Sequence, residues 1–208
     1  MSDAPKAKAK AKARVYFSFD IEADGKSPVF NSMLSFGCVV FDEQGREVDT
    51  MQMNLKPEEG KVADPKCQEE FWDKNPEIVQ FVQTNQQEPR ALALAVGALY
   101  AKWEASGHKI VWVANPSSYD WQWLNAYYCR YFEAGRNMPD IGYSAKCIGT
   151  MLEMHRLRNG MTDDQADKYE AATMMALREK DHVAHNPEHD ARVQGKWFFN
   201  LRAHLVNA

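Results

Sequence analysis

Asp20 and Glu22 stand two residues apart in Val15-Tyr16-Phe17-Ser18-Phe19-Asp20-Ile21-Glu22, a run that alternates well enough to be a strand. Strand side chains repeat with period two, so both carboxylates project to the same side at the strand's end. Two like charges side by side in an apolar strand are costly unless they are solvated, protonated or bound to a cation. A third carboxylate, Asp120, follows a second apolar run in Asn115-Pro116-Ser117-Ser118-Tyr119-Asp120. With Ser117 as N-cap, Asp120 falls at N3, where it either completes a capping box or faces a site. The fourth, Asp190, lies in His185-Asn186-Pro187-Glu188-His189-Asp190. Asn186 suits an N-cap and Pro187 the first helical position, so His185 sits just outside a helix and Asp190 about one turn in. Glu188 reads as a favourable charge at that helix start. Four carboxylates and no cysteine form a hard oxygen-donor set, which selects Mg2+ or Mn2+ over zinc. Two such ions about 3.5–4 Å apart can activate a water and stabilise the leaving oxygen in phosphodiester cleavage. A histidine with a pKa near ~6.5 can take that water's proton around neutrality.

The elements that must carry these residues are readable from periodicity. Strands are expected from Val15 to about Asp20, over Leu34–Phe41 and over about Glu47–Leu55, with Asp42-Glu43-Gln44-Gly45 as a hairpin turn between the last two. Met51, Met53 and Leu55 share one face of the third strand. Together the three form an antiparallel meander. The pattern then turns helical: short helices around Phe71-Trp72 and Ile78 broken at Pro76, and a stronger one from Arg90 to Ala105 closed by Gly107. Lys109-Ile110-Val111-Trp112-Val113-Ala114 is a buried strand stopped by Asn115-Pro116. Helices are expected through Tyr131, over about 145–156, over about 162–179, and from Pro187 to Leu205. Strands first, then helices alternating with strands, imply an α/β fold: a mixed central sheet with helices around it.

Length and charge bound the rest. The 208 residues favour a single domain over two. No run of eighteen apolar residues and no N-terminal apolar h-region occurs, so neither a membrane span nor a secretory signal is expected. Cys38, Cys67, Cys129 and Cys147 are far apart, which fits reduced thiols in a cytoplasmic compartment and leaves no zinc spacing. Net charge is −4, yet Lys6, Lys8, Lys10, Lys12 and Arg14 against Asp3 give the first fourteen residues +4, leaving −8 on the remainder. Residues 1–14 read as a disordered Lys/Ala-rich arm and 15–208 as the folded domain. An acidic body argues against nucleic-acid binding by basic surface alone. Trp123, Tyr127 and Tyr131 recur at helical spacing, as do Trp197, Phe198 and Leu201, and both sets read as core.

The three carboxylate motifs, in order, resemble those of the DEDDh 3′–5′ exonucleases, a ribonuclease-H-like family. Asp20-Ile21-Glu22 matches its D-x-E motif, Asn115-Pro116 through Asp120 and on to Leu124 its second, and His185 with Asp190 its H-x4-D. The similarity runs over about residues 15–205. Phe71-Trp72-Asp73-Lys74-Asn75-Pro76-Glu77 and Trp112 through Pro116 look most like a phage, viral and bacterial subgroup, which would allow a host cytoplasm. The resemblance implies a ribonuclease-H-like sheet, and two divalent ions, Mg2+ or Mn2+, held by Asp20, Glu22, Asp120 and Asp190. It implies His185 as general base, with Ile21, Glu22 and Ala23 touching the terminal nucleotide. His189 is a rival base by proximity, but its spacing from Asp190 does not match the motif, and His182 reads as bland. The partner implied is the 3′ end of single-stranded nucleic acid, with a nucleoside 5′-monophosphate as product and a homodimer as a further expectation. RNA is slightly favoured because nothing suggests a duplex-gripping basic face. The alternatives are a DNA exonuclease or proofreading subunit, and a catalytically silent binding module.

Overall fold

A computed structural model describes residues 12–132 and 138–206. The Lys/Ala tract up to residue 11 lies outside the described residues. Five strands, β1 (Arg14–Ala23), β2 (Met33–Phe41), β3 (Glu47–Asn54), β4 (Lys109–Ala114) and β5 (Lys146–Cys147), form one sheet in the order β3-β2-β1-β4-β5. The first three pair antiparallel, and β1–β4 and β4–β5 pair parallel. The expected mixed sheet is therefore present, with the meander on one side and the parallel strands on the other.

Among the described residues, seven α-helices flank the sheet, with a 3-10 turn at Trp72–Lys74: α1 (Pro65–Glu70), α2 (Pro76–Val82), α3 (Pro89–Ala105), α4 (Ser117–Arg130), α5 (Ile148–Arg158), α6 (Asp163–Leu177) and α7 (Pro187–Val206). Alternation along β1 separates two cores. Phe17, Phe19 and Ile21 point into one, with Leu92, Val96, Trp123 and Tyr127 of α3 and α4. Tyr16 points into the other, with Ile148 of α5 and Ala191, Trp197 and Leu201 of α7. Ser18, Asp20 and Glu22 share the parity of Tyr16 and so belong to the face that α7 covers. Trp123, Tyr127, Trp197 and Leu201 are fully buried, as helical spacing suggested.

Two local readings change. β5 is a two-residue strand that the periodicity of about 145–156 conceals, since two residues carry no pattern. Ser117 does not cap α4: Pro116 occupies the N-cap with no side-chain hydrogen bond, and Ser117 is the first helical residue. Asp120 thereby falls one position past N3, out of reach of a capping box. The expected cap at α7 is present: the Asn186 side chain accepts from the N–H groups of Glu188 and His189. At α6, where no cap was expected, Thr162 and Gln165 form a capping box. Among the described residues, no helix is long and apolar enough to cross a membrane.

Candidate metal centre

Three chain segments converge at the C-terminal end of β1. Asp20 and Glu22 come from β1 itself, Asp120 from the first turn of α4, and Asp190 from the first turn of α7. The close approach of α7 depends on Gly37, the residue of β2 paired with Asp20. A Cβ at Gly37 would collide with the backbone of Pro187 and Glu188, so only glycine lets the start of α7 lie against the strand. Lower down, Gly195 of α7 lies as closely against the Phe41 ring.

His185 has a positive φ of 61°, the left-handed turn that reverses the chain into α7. Its backbone N–H donates to Asp190 Oδ2 at 2.8 Å. Its ring stands edge-on to Phe71, centroids 4.7 Å apart, with Nδ1 3.6 Å from Glu22 Oε1. One ligand atom each from Glu22, His185 and Asp190 all lie within 4.8 Å of one another. His189 is turned elsewhere, its Nδ1 accepting from the Val183 N–H at 2.9 Å.

The electrostatics are those of crowded anions. Burial, then the charges of Asp120, Glu22 and Asp190, push the Asp20 carboxyl well above the usual carboxylate range. Burial takes Asp120 up to about 8, against a partial offset from the N–H groups of its own residue and Ile21. Glu22 and Asp190 are raised by burial as well, each opposed by a neighbouring histidine. His185 is raised by its contact with Glu22. Asp120 is 2% exposed, and its Oδ2 is buried with no hydrogen-bond partner. Buried carboxylate oxygens without donors are a standing cost that a hard divalent cation removes. The donor set fits such an ion.

Two neighbours escape sequence reasoning. Gln194, buried on α7, donates from Nε2 to Asp20 Oδ1 at 2.8 Å. It lies four residues after Asp190, so helical spacing could have found it. His182, expected to be bland, has a buried side chain whose Nε2 lies 3.3 Å from Asp190 Oδ1, though not aligned for a hydrogen bond. It reaches the site from the irregular segment between α6 and α7, where no periodicity could announce it. The side chains of Ile21 and Ala23 are buried in the α3–α4 core, which leaves backbone as what they offer at this strand end.

No protein-family model matches the sequence, and neither does any curated protein. Solved structures do resemble the fold. A product-bound exonuclease I superposes with a TM-score of 0.63 at 13% identity, covering 92% of this chain and 43% of that one. E. coli exonuclease I with a 5cy-dT13 oligonucleotide gives 0.62 at 12% identity, covering 93% and 41%. The zinc-bound form of an E. coli exonuclease I–single-stranded DNA complex gives 0.60 at 14%, covering 92% and 40%. The chain spans about two fifths of the length of each. Its mixed five-stranded sheet with flanking helices is a ribonuclease-H-like α/β fold, and exonuclease I shares that fold.

Proposed function

We propose that this chain is a divalent-metal-dependent 3′–5′ exonuclease of the DEDDh type, releasing nucleoside 5′-monophosphates from single-stranded nucleic acid. The observation that carries the reading is the cluster of Glu22, His185 and Asp190 at the end of β1, beside the buried carboxyl of Asp20, whose pKa the charges of Asp120, Glu22 and Asp190 help to raise. Asp20, Glu22, Asp120 and Asp190 would hold two Mg2+ or Mn2+ ions. Bound there, the ions supply Lewis-acid polarisation of the scissile phosphate and ease ionisation of the attacking water. His185 accepts that water's proton on its imidazole, which stands half exposed at the mouth of the cluster. Phe71 packs against its ring and Glu22 against Nδ1, so the imidazole is oriented before substrate arrives. Gln194 holds Asp20 in one rotamer. The backbone of Ile21 and Ala23, with the Glu22 carboxylate, meets the terminal nucleotide.

RNA is the substrate placed first. DNA is the second reading, supported by the exonuclease I structures that hold single-stranded DNA. The test follows 5′-labelled RNA and DNA of equal sequence with Mg2+, Mn2+ or EDTA. A metal-dependent ladder shortening from the 3′ end is expected, absent in Asp20→Ala and slowed ~10²–10⁴-fold in His185→Ala. Near-normal turnover by Asp20→Ala would overturn the metal site. No cleavage of either strand would favour a silent binding module.

A further inference from the structure

At the opposite end of the sheet, the edge of β4 is left open. Among the described residues, β5 is in register only with Val113 and Ala114, so Lys109 to Val111 have β1 on one side and no strand on the other. Lys109 donates its N–H to the Ala13 carbonyl of the β1 side. In a parallel ladder the alternate residues turn their backbone groups outward: those of Ile110 face the groove, while Trp112 lies where β5 begins to pair. A groove of about 610 Å³ follows this edge between the 141–146 segment and the end of α7. Arg14, Lys109, Lys146 and Arg202 line it, and no carboxylate does.

Those four cations are not paired off. Arg14 and Lys109 are register partners on adjacent strands, about 4.8 Å apart, an arrangement of like charges that is unfavourable without an anion. Among the described residues, no carboxylate lies within ion-pair distance of Arg14, Lys109, Lys146 or Arg202. Arg202 is held instead by aromatic groups: it donates to the Tyr16 hydroxyl at 2.8 Å, and its guanidinium lies 5.3 Å from that ring's centroid. Beside these cations Tyr143 is 90% exposed, a large ring with nothing packed over it. On a body carrying a net negative charge, a groove lined by four cations, no carboxylate and an open aromatic face suits a phosphodiester chain. Cations track the phosphates and the ring stacks a base.

We propose that this groove is a second contact for single-stranded nucleic acid, gripping the chain upstream of the 3′ end. The inference rests on the exonuclease reading for its direction, though not for the binding itself. Arg14 precedes Asp20 by six residues on β1, about 20 Å at about 3.3 Å per residue. At the stacked-strand rise of about 3.4 Å per nucleotide, roughly six nucleotides at most separate the two contacts, and fewer if the strand is drawn out. A dinucleotide cannot reach both. A strand of about twelve nucleotides can.

The test measures fluorescence anisotropy of labelled oligonucleotides about two and about twelve nucleotides long, in EDTA so that nothing is cleaved. The proteins are wild type, Lys109→Glu/Lys146→Glu and Tyr143→Ala, all exposed positions. Tight binding of the long strand by wild type is expected, weakened on the order of tenfold or more in the double variant, with a salt slope smaller by about 1.4 for two lost phosphate contacts. Tyr143→Ala should weaken it without changing the salt slope. Turnover of the dinucleotide with Mg2+ should be the same in all three. Equal affinity and equal salt slope in wild type and the double variant would overturn the proposal, and would leave an acidic extended peptide on the β4 edge as the ligand to pursue. Failure to cleave the dinucleotide in every protein would count against the exonuclease reading alone, since the anisotropy is read without catalysis.

Discussion

Asp120 condenses the tension of the candidate centre into one side chain. Its carboxylate is almost fully buried, has an oxygen without a donor, and titrates near 8 because burial penalises the charge. A carboxyl whose folded pKa lies above its unfolded value of about 3.9 binds a proton more tightly in the folded state. Its cost is absent below about pH 4 and grows as pH rises toward 8. Metal-free protein should accordingly lose stability across that window. Asp120→Asn should lessen the loss, the part from Asp20, Glu22 and Asp190 remaining, and raise stability at pH 8 by at least about 1 kcal/mol, while abolishing the stabilisation that Mg2+ gives wild type. Urea midpoints against pH, with and without Mg2+, read both effects. Unchanged midpoints in the variant would mean that Asp120 is not the buried charge described. The residue types and spacing of Asp20, Glu22, Asp120, His185 and Asp190 were legible in the chain. Whether Asp120 capped a helix or faced the cluster was not, because one residue of helix phase separates the two outcomes.

At the scale of elements, the centre exists because α7 crosses β1 and β2 at close range. Gly37 and Gly195 permit that approach, one on each element. Gly37→Ala would place a methyl group against the backbone of Pro187 and Glu188, which cannot rotate away as a side chain can. A loss of about 1–3 kcal/mol is expected from overpacking. A fall in activity beyond the stability loss should accompany it, since Asp190 rides on that turn. Thermal melts with turnover measured well below the melting temperature separate the two. Wild-type turnover in a destabilised Gly37→Ala would show that the start of α7 tolerates displacement. The α7 cap was readable from Asn186 and Pro187, and the meander from alternation and one turn. β5 was hidden by its length, and with it the open edge of β4.

For the molecule as a whole, the segment after β3 is tied across to α4 through Glu58. Its carboxylate is buried, pairs with Arg130, accepts from the Tyr131 hydroxyl at 2.7 Å, and sits where the Glu58 N–H donates to Ser32. Burial alone would raise its pKa, but the Arg130 and Tyr131 hydrogen bonds outweigh this and hold it below the usual range. A depressed carboxyl contributes stability above its unfolded pKa, near 4.3, and loses it as pH falls through the folded value. Glu58→Gln should therefore cost about 1.5–3 kcal/mol at pH 7, the scale of a charge-assisted buried hydrogen bond. The difference from wild type should shrink to nothing in acid. Chemical denaturation at pH 7 and below pH 4 tests it, and a gap that persists in acid would assign the loss to packing instead of charge.

By itself the sequence determined the local alphabet: where apolar residues alternate, where helices are capped, and which side chains can bind a hard cation or move a proton. Those depend on neighbours a few positions away, which spacing records. What distant segments do to one another follows from how the elements pack. That packing set Gln194 on Asp20, His182 beside Asp190, Glu58 on Arg130, and Arg14, Lys109, Lys146 and Arg202, from four different elements, around one groove. Such contacts arise from the packing of faces whose register no local pattern encodes. A net charge counted along the chain could not reveal that Arg14, Lys109, Lys146 and Arg202 line one groove with no carboxylate among its lining residues.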